Sequence, residues 1–195
     1  MQGGAAGLIA ESFLVSTGIV ALGEMGDKTQ LLALLLAARY RPPRPIVAGI
    51  LVATLANHAR AAAVGPGLTR WIDPTWMRWG LGVSFIAVAL WMLVPDKAAG
   101  VEGQPRSRFG VFSVTVAAFF LAEMGDKMQI ATVLLAARYN ELLAVTAGTT
   151  LGMMLANVPV VYLGDRVTRH VPIAWVHRIA ALVFAALGVA VLAWA

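Results

Sequence analysis

Three long stretches of this sequence contain no aspartate, glutamate, lysine or arginine: Trp79–Pro95, Leu142–Gly164 and Ile179–Ala195. Each is close to the roughly 20 residues that an α-helix needs to cross a hydrocarbon core of about 30 Å. Of the 195 residues, 59% are hydrophobic and only 13% are charged, which is more apolar surface than a soluble domain of this size can bury. The sequence therefore predicts an all-α membrane protein that lies in a lipid bilayer.

Six apolar segments, separated by charged and turn-forming residues, predict six transmembrane helices. We place these helices at about residues 10–38, 45–65, 76–94, 109–137, 142–163 and 175–194. The longest connection, from Pro95 to Arg108, is rich in glycine, proline and charge. We expect it to divide the chain into three parts, namely a first three-helix unit (1–95), a linker (96–108) and a second three-helix unit (109–195).

The two units are copies of one another. Glu24–Tyr40 aligns with Glu123–Tyr139, and twelve of the seventeen positions are identical. Because each unit crosses the membrane three times, the second copy must enter from the opposite side, which makes the units inverted repeats. Secondary transporters use this construction and bind their substrates near the midplane, where the repeats meet. The alternative, a duplicated membrane scaffold, leaves the charged residues inside the helices unexplained.

The basic residues indicate how the chain is oriented. Nine lysines and arginines lie in or beside the first, third and fifth loops, against four on the other side. Since basic residues favour the cytoplasmic side, we expect the linker in the cytoplasm and both termini outside. The basic residues are scattered singly between apolar runs, so the formal net charge of +5 indicates anchoring at membrane surfaces and no nucleic-acid partner. Met1–Ala10 lacks lysine and arginine, and we therefore expect no cleaved signal peptide.

The motif Glu-Met-Gly-Asp-Lys occurs at residues 24–28 and again at residues 123–127. Both copies lie about a dozen residues, or roughly 18 Å, from the start of a predicted helix, which is close to mid-bilayer. Charged groups at that depth cost at least a few kcal/mol, so they indicate a functional site. On one continuous helix Glu24, Asp27 and Lys28 would share a face, because they are spaced i, i+3 and i+4. The glycine in each motif would permit a kink or a close helix approach.

Oxygen atoms dominate the side chains in and next to the two motifs. Carboxylate and amide oxygens suit Ca²⁺, Mg²⁺ or Mn²⁺, whereas Cu⁺ prefers sulfur and Zn²⁺ commonly takes histidine or cysteine. The chain has no cysteine, and its three histidines lie outside the motifs. We therefore predict a divalent-cation site with these candidate ligands: Glu24, Asp27, Thr29, Gln30, Glu123, Asp126 and Gln129. Asn57 and Asn157, inside the second and fifth helices, are either further ligands or interhelical hydrogen-bond partners.

The charges in the two motifs suggest how such a site would work. Four carboxylates and two lysines sum to a formal charge of −2. One divalent cation neutralises that charge, and so do two protons. A site that must be neutral to move across the membrane would therefore exchange a divalent cation for protons.

Other interpretations are open on these residues alone. The aspartate and lysine within each motif would form structural ion pairs if the motifs only held the bundle together. A divalent-cation channel would use the same acidic residues without proton coupling. An intramembrane aspartyl hydrolase would have Asp27 and Asp126 share one proton, but the lysine beside each aspartate opposes that arrangement. The sequence carries no other recognisable catalytic motif, so we expect a transport protein and no enzyme.

At these residues the sequence resembles the Gdt family of small membrane proteins, which is linked to manganese and calcium transport. The family signature, E-x-G-D-[KR]-[ST], matches residues 24–29 completely, and residues 123–128 depart from it only at Met128. Two copies 99 residues apart are a specific match. The resemblance extends over essentially the whole chain.

The resemblance implies exchange of Mn²⁺ or Ca²⁺ for protons. Its cation site would consist of four acidic residues and one supporting hydroxyl: Glu24, Asp27, Glu123, Asp126 and Thr29. Met128 replaces the second hydroxyl residue, so the two half-sites are expected to differ. The ion is the transported substrate, and no cofactor is implied. The resemblance also implies efflux of Mn²⁺ across a bacterial inner membrane, in which case the termini that the basic residues place outside would lie in the periplasm. A homo-oligomer is compatible with the sequence.

Overall fold

The computed structural model describes residues 2–40, 42–71, 73–93, 108–163 and 173–193. Over these residues the chain is all-helical and contains no β-strand. The helices found there are, in chain order, α1 Gln2–Glu24, α2 Lys28–Arg39, α3 Pro43–Trp71, α4 Pro74–Met92, α5 Arg108–Glu123, α6 Lys127–Tyr139, α7 Leu142–Leu163 and α8 Ile173–Ala193. The predicted linker, 96–108, lies outside the described residues except for Arg108, so its boundaries stay a prediction.

Each motif interrupts a helix that the sequence predicted to be continuous. The first predicted helix, 10–38, is divided into α1 and α2, and the fourth, 109–137, is divided into α5 and α6. The break follows from the motif glycines, because Gly26 has a φ of 81° and Gly125 a φ of 72°. Glycine adopts this left-handed region without steric cost, but an α-helix cannot continue through it. The directions of α5 and α6 differ by 71°.

The other four predicted helices form close to where the sequence placed them. Residues 142–163 coincide with α7, and α4 and α8 each begin and end within two residues of their predicted bounds. α3 is longer than the predicted 45–65, because it continues through Pro66. The neighbouring Gly65 packs directly on α6, where an added Cβ would lie 2.6 Å from the Ala137 nitrogen. α3 therefore stays helical through a proline, which would favour a helix end, at the point where it lies against α6.

Three helical segments are long and apolar enough to cross a membrane by themselves: Ala6–Glu24, Pro43–Gly67 and Leu142–Leu163. The bent pair α5–α6 makes a fourth candidate span when its two helices are counted as one. α4 and α8 contain shorter apolar stretches, Trp79–Trp91 and Ala181–Ala193. By length and composition the described residues therefore form a multi-pass membrane protein with three or four spans, and the predicted total of six stays a prediction.

Helices of the first half pack mainly against helices of the second half. α1 lies along α7, α5 lies along α3, and α4 lies along α8. Two equivalent glycines mark the first two of these crossings. A Cβ on Gly148 would lie 2.5 Å from the Phe13 carbonyl oxygen, and a Cβ on Gly49 would lie 3.0 Å from the Phe112 carbonyl oxygen. Both glycines and both phenylalanines are related by an offset of 99 residues, so the two halves make matching contacts.

Buried apolar side chains form two clusters. The larger is built mainly by α4, α6 and α8, with residues of α1, α3 and α7, and the smaller mainly by α2, α3 and α5. Phe85 and Phe184, equivalent residues of α4 and α8, lie in the larger cluster with their ring centroids 6.1 Å apart. Because α2 and α6 begin at the motif turns and each packs in one cluster, the packing fixes the positions of the motif residues at their N-termini.

Candidate cation site

The two motif turns are built in the same way. In each turn the glycine N–H donates to the side-chain oxygen of the glutamine four residues later, over 2.8 Å: Gly26 to Gln30, and Gly125 to Gln129. Gln30 Nε2 also donates to the Ala156 carbonyl oxygen over 3.1 Å, which ties the first turn to α7. Both glutamines therefore stabilise the turns, and their role as cation ligands stays a prediction.

The turns bring three carboxylates together. Glu24 ends α1, while Asp27 and Asp126 occupy the N-cap positions of α2 and α6. One carboxylate oxygen of each residue lies within 4.8 Å of the other two. The three residues are 0%, 1% and 2% exposed. At an effective dielectric constant of about 20, two negative charges at that separation repel each other by about 3 kcal/mol, so a bound cation or protons would stabilise the cluster.

The lysine of each motif pairs with the aspartate of the other motif. Lys28 Nζ lies 3.4 Å from Asp126 Oδ1, and Lys127 Nζ lies 3.2 Å from Asp27 Oδ1. Both ion pairs therefore join the two motifs. The aspartate and the lysine of one motif do not face each other, because neighbouring side chains at the start of a helix point about 100° apart. The two lysines differ in surroundings, since the Lys127 side chain is 1% exposed and the Lys28 side chain is 22% exposed.

The fourth carboxylate, that of Glu123, is held by α3. The Thr54 hydroxyl donates to Glu123 Oε1 over 2.8 Å, and Asn57 Nδ2 donates to Glu123 Oε2 over 3.0 Å. Its counterpart Glu24 is held within its own motif, where the Thr29 hydroxyl donates to it. Thr54 is absent from the predicted site residues. The available signal is its position three residues before Asn57, which places both on one helix face.

The two asparagines that the sequence singled out have different partners. Asn57 makes interhelical hydrogen bonds, because its Nδ2 also donates to the Phe120 carbonyl oxygen over 3.0 Å. Asn157 donates within its own helix, to the carbonyl oxygen and the sulfur of Met153, both at 3.0 Å. The surroundings of the two glutamates therefore differ, although the backbone turns that follow them are the same.

The predicted site residues all lie at or beside the two turns. Glu24, Asp27 and Asp126 form the three-carboxylate cluster. Within the described residues, Glu24 Oε1 and Asp126 Oδ2 are buried and have no hydrogen-bond partner. Glu123 has both oxygens bonded by α3, and Thr29 supports Glu24. Among the predicted site residues, the spare buried acceptor atoms therefore belong to Glu24 and Asp126.

Known proteins and a family model match this chain over most of its length. A "Putative manganese exporter" of Vibrio cholerae serotype O1 is 50% identical over 171 residues, which cover 87% of this chain and 84% of that protein. The "GDT1-like protein sll0615" of Synechocystis sp. is 28% identical over 194 residues, which cover 89% of this chain and 92% of that protein. No solved structure matches the chain significantly. The family model described as "Divalent cation/proton antiporter GDT1" matches residues 12–100 and 111–195, so this chain belongs to the GDT1 family of divalent cation/proton antiporters.

Proposed function

We propose that this protein exports Mn²⁺ from the cytoplasm in exchange for protons, with Ca²⁺ as the alternative substrate. The observation that carries the proposal is the cluster of Glu24, Asp27 and Asp126, whose carboxylate oxygens lie within 4.8 Å of one another. Anionic oxygen donors from both halves of the chain suit a divalent cation. The name of the Vibrio cholerae relative favours Mn²⁺ as the substrate.

We assign the transported cation to the three clustered carboxylates together with Glu123. Glu24 Oε1 and Asp126 Oδ2 supply acceptor atoms that no other described residue uses. Thr29 would support the cation indirectly, since its hydroxyl donates to Glu24. The glutamines Gln30 and Gln129 would join the ligand set through the second lone pair of their side-chain oxygens, because the first already accepts the glycine N–H.

The lysines set how much positive charge the site takes up. Lys28 and Lys127 each lie against one aspartate oxygen, and the four carboxylates with the two lysines keep a formal charge of −2. One divalent cation neutralises this charge, and two protons do so after the cation has left. Uncompensated charge is costly inside a bilayer. The site would therefore switch from opening on one side of the membrane to opening on the other only when it holds a divalent cation or two protons. That condition couples the two fluxes.

The architecture we propose has six membrane spans in two inverted three-helix repeats, 1–95 and 109–195, joined by a cytoplasmic linker at 96–108. The pairs α1–α2 and α5–α6 would be the broken first spans of the two repeats. The matching contacts at Gly49 and Gly148, and the two separate segments that the family model matches, support this arrangement. Broken helices at a repeat interface commonly build ion sites in transporters. We place both termini in the periplasm of a bacterial inner membrane.

The ion pairs also bear on the hydrolase alternative. An aspartyl dyad needs one carboxyl to keep its proton, whereas here a lysine lies within 3.4 Å of Asp126 and within 3.2 Å of Asp27. We therefore propose a transporter without enzyme activity.

The test is Mn²⁺ transport by proteoliposomes under an imposed pH gradient. We expect Glu24→Gln and Asp126→Asn each to reduce transport at least about tenfold, because losing one anionic ligand should cost more than about 1.4 kcal/mol. Glu11→Gln is the matched control. Glu11 is exposed on the same helix as Glu24 and contacts only the Tyr139 hydroxyl, at 3.3 Å, among the hydrogen bonds described. We expect this variant to transport like the wild type.

Each alternative has its own result in these vesicles. Unchanged transport by Glu24→Gln or Asp126→Asn would remove that residue from the proposed site. A Mn²⁺ flux that is independent of the pH gradient would indicate a channel. Measuring Ca²⁺ in parallel decides between the two substrates.

A further inference from the structure

We infer that Thr54 and Asn57 of α3 are positioning residues for the cation site, and that they give Glu123 the support that its own motif lacks. The inference deepens the proposed function and rests on it, because Glu123 is one of the proposed cation ligands.

Thr54 and Asn57 each donate a hydrogen bond to one of the two carboxylate oxygens of Glu123. One donates to Oε1 over 2.8 Å and the other to Oε2 over 3.0 Å. Thr54 and Asn57 are fully buried, and Glu123 is 2% exposed. A glutamate side chain has several rotatable bonds, so two donors from one rigid helix fix the orientation of its carboxylate. Each oxygen keeps a further lone pair that a cation can use.

The two motif glutamates accept hydrogen bonds from hydroxyl groups that belong to different parts of the chain. Glu24 accepts from Thr29, five residues later in its own motif. The equivalent of Thr29 beside Glu123 is Met128, which is 2% exposed and has no hydroxyl. The Glu123 half-site instead receives its hydroxyl from Thr54. Each glutamate is therefore bonded by one threonine, supplied once by the motif and once by α3.

The two helices that carry the asparagines, α3 and α7, also differ in the donors that they offer to a glutamate. Thr54 lies three residues before Asn57 on α3, and Met154 lies three residues before Asn157 on α7. Asn57 donates to Glu123, whereas Asn157 donates to the carbonyl oxygen of its own helix. Glu123, whose motif has no hydroxyl group, is thus the glutamate for which the neighbouring helix supplies both donors. This difference between the two halves indicates that the Thr54 hydroxyl orients the Glu123 carboxylate, and that Thr54 is more than a packing residue.

The experiment compares Mn²⁺ binding to full-length variants by isothermal titration, with transport measured in parallel. We expect Thr54→Val and Asn57→Leu each to weaken Mn²⁺ binding about tenfold, because each removes a hydrogen bond to a charged group. Thr54→Ser keeps the hydroxyl and should bind like the wild type. The matched control is Thr149→Val, which removes a buried hydroxyl that donates within its own helix. This control should bind close to the wild type.

A double-mutant cycle separates positioning from general stability. If Thr54 acts through Glu123, adding Thr54→Val to Glu123→Gln should cause no further loss of Mn²⁺ affinity. A full additional loss in that background, or equal weakening by Thr54→Ser and Thr54→Val, would overturn the inference. Weakening by Thr149→Val as large as that by the α3 variants would also overturn it.

The same cycle tells the two proposals apart. If Glu123→Gln by itself leaves Mn²⁺ affinity unchanged, the proposed ligand role of Glu123 fails, and this inference fails with it. If Glu123→Gln weakens binding while Thr54→Val and Asn57→Leu do not, only the inference fails. Asn57→Leu serves as the independent variant should Thr54→Val fold poorly.

Discussion

Gly26 and Gly125 determine where the acidic side chains of this protein point. The sequence identified the acidic residues and predicted that the glycines weaken the helix, but it placed Glu24, Asp27 and Lys28 on one helical face. That prediction was wrong, because a positive φ at the glycine ends the first helix at the glutamate and leaves the aspartate as the N-cap of the next. Which lysine meets which aspartate then depends on how the motifs approach in space, and spacing along the chain contains no such information.

Gly125→Ala measures the cost of this left-handed turn. A Cβ at this position meets no described atom within 4 Å, so the loss comes from the backbone alone and should be about 1–2 kcal/mol. We expect a lower melting temperature in detergent for Gly125→Ala. Gly125→Asn should lose less, since asparagine tolerates this region better than alanine. A melting temperature of Gly125→Ala equal to that of the wild type would contradict the prediction.

The helices show a similar division between what the sequence predicted and what it did not. Apolar runs bounded by charged residues located the helices well, because burial in lipid requires that pattern, and the bounds of α7 were predicted correctly. The pairing of α1 with α7 and of α5 with α3 was not predictable, since it depends on contacts between residues more than a hundred positions apart or across the linker. The same reason explains why Thr54 was missed, since its hydrogen bond joins residues 69 positions apart.

Gly148→Ala tests the crossing of α1 and α7. Its Cβ would lie 2.5 Å from the Phe13 carbonyl oxygen, and backbone cannot move aside cheaply, so we expect a destabilisation of about 1–3 kcal/mol. Gly18→Ala is the control, because a Cβ at this position of α1 meets no described atom within 4 Å. It should be neutral or stabilising by up to about 1 kcal/mol, since alanine favours helix. Thermal unfolding of both variants in one detergent provides the comparison, and a Gly148→Ala protein as stable as Gly18→Ala would count against the close crossing.

At the scale of the whole molecule, the two halves share turns and helix contacts but differ in the exposure of their lysines, 22% for Lys28 and 1% for Lys127. The charge balance of the two motifs was accessible from the sequence, because it requires only counting. The unequal surroundings of the lysines were not, since they depend on the arrangement of all the helices.

Mn²⁺ binding should stabilise the folded chain as a whole. A ligand present at 100 times its Kd, and bound only by the folded state, adds about 2.7 kcal/mol. We therefore expect Mn²⁺ to raise the melting temperature of the wild type and to have little effect on Asp126→Asn. Because carboxylates must lose their protons to bind a metal, the rise should become smaller as the pH falls. An increase of the same size across the pH range would contradict competition between Mn²⁺ and protons.

Neither half of the chain contains all the counter-ions it needs. Lys28 pairs with Asp126 and Lys127 pairs with Asp27, so each unit alone would bury an acid whose positive partner belongs to the other unit. The two aspartate–lysine ion pairs form only after both units have docked in register, so misdocked assemblies lack them. Altering either lysine therefore removes a salt bridge to an aspartate of the opposite copy, so the two copies depend on each other at this point.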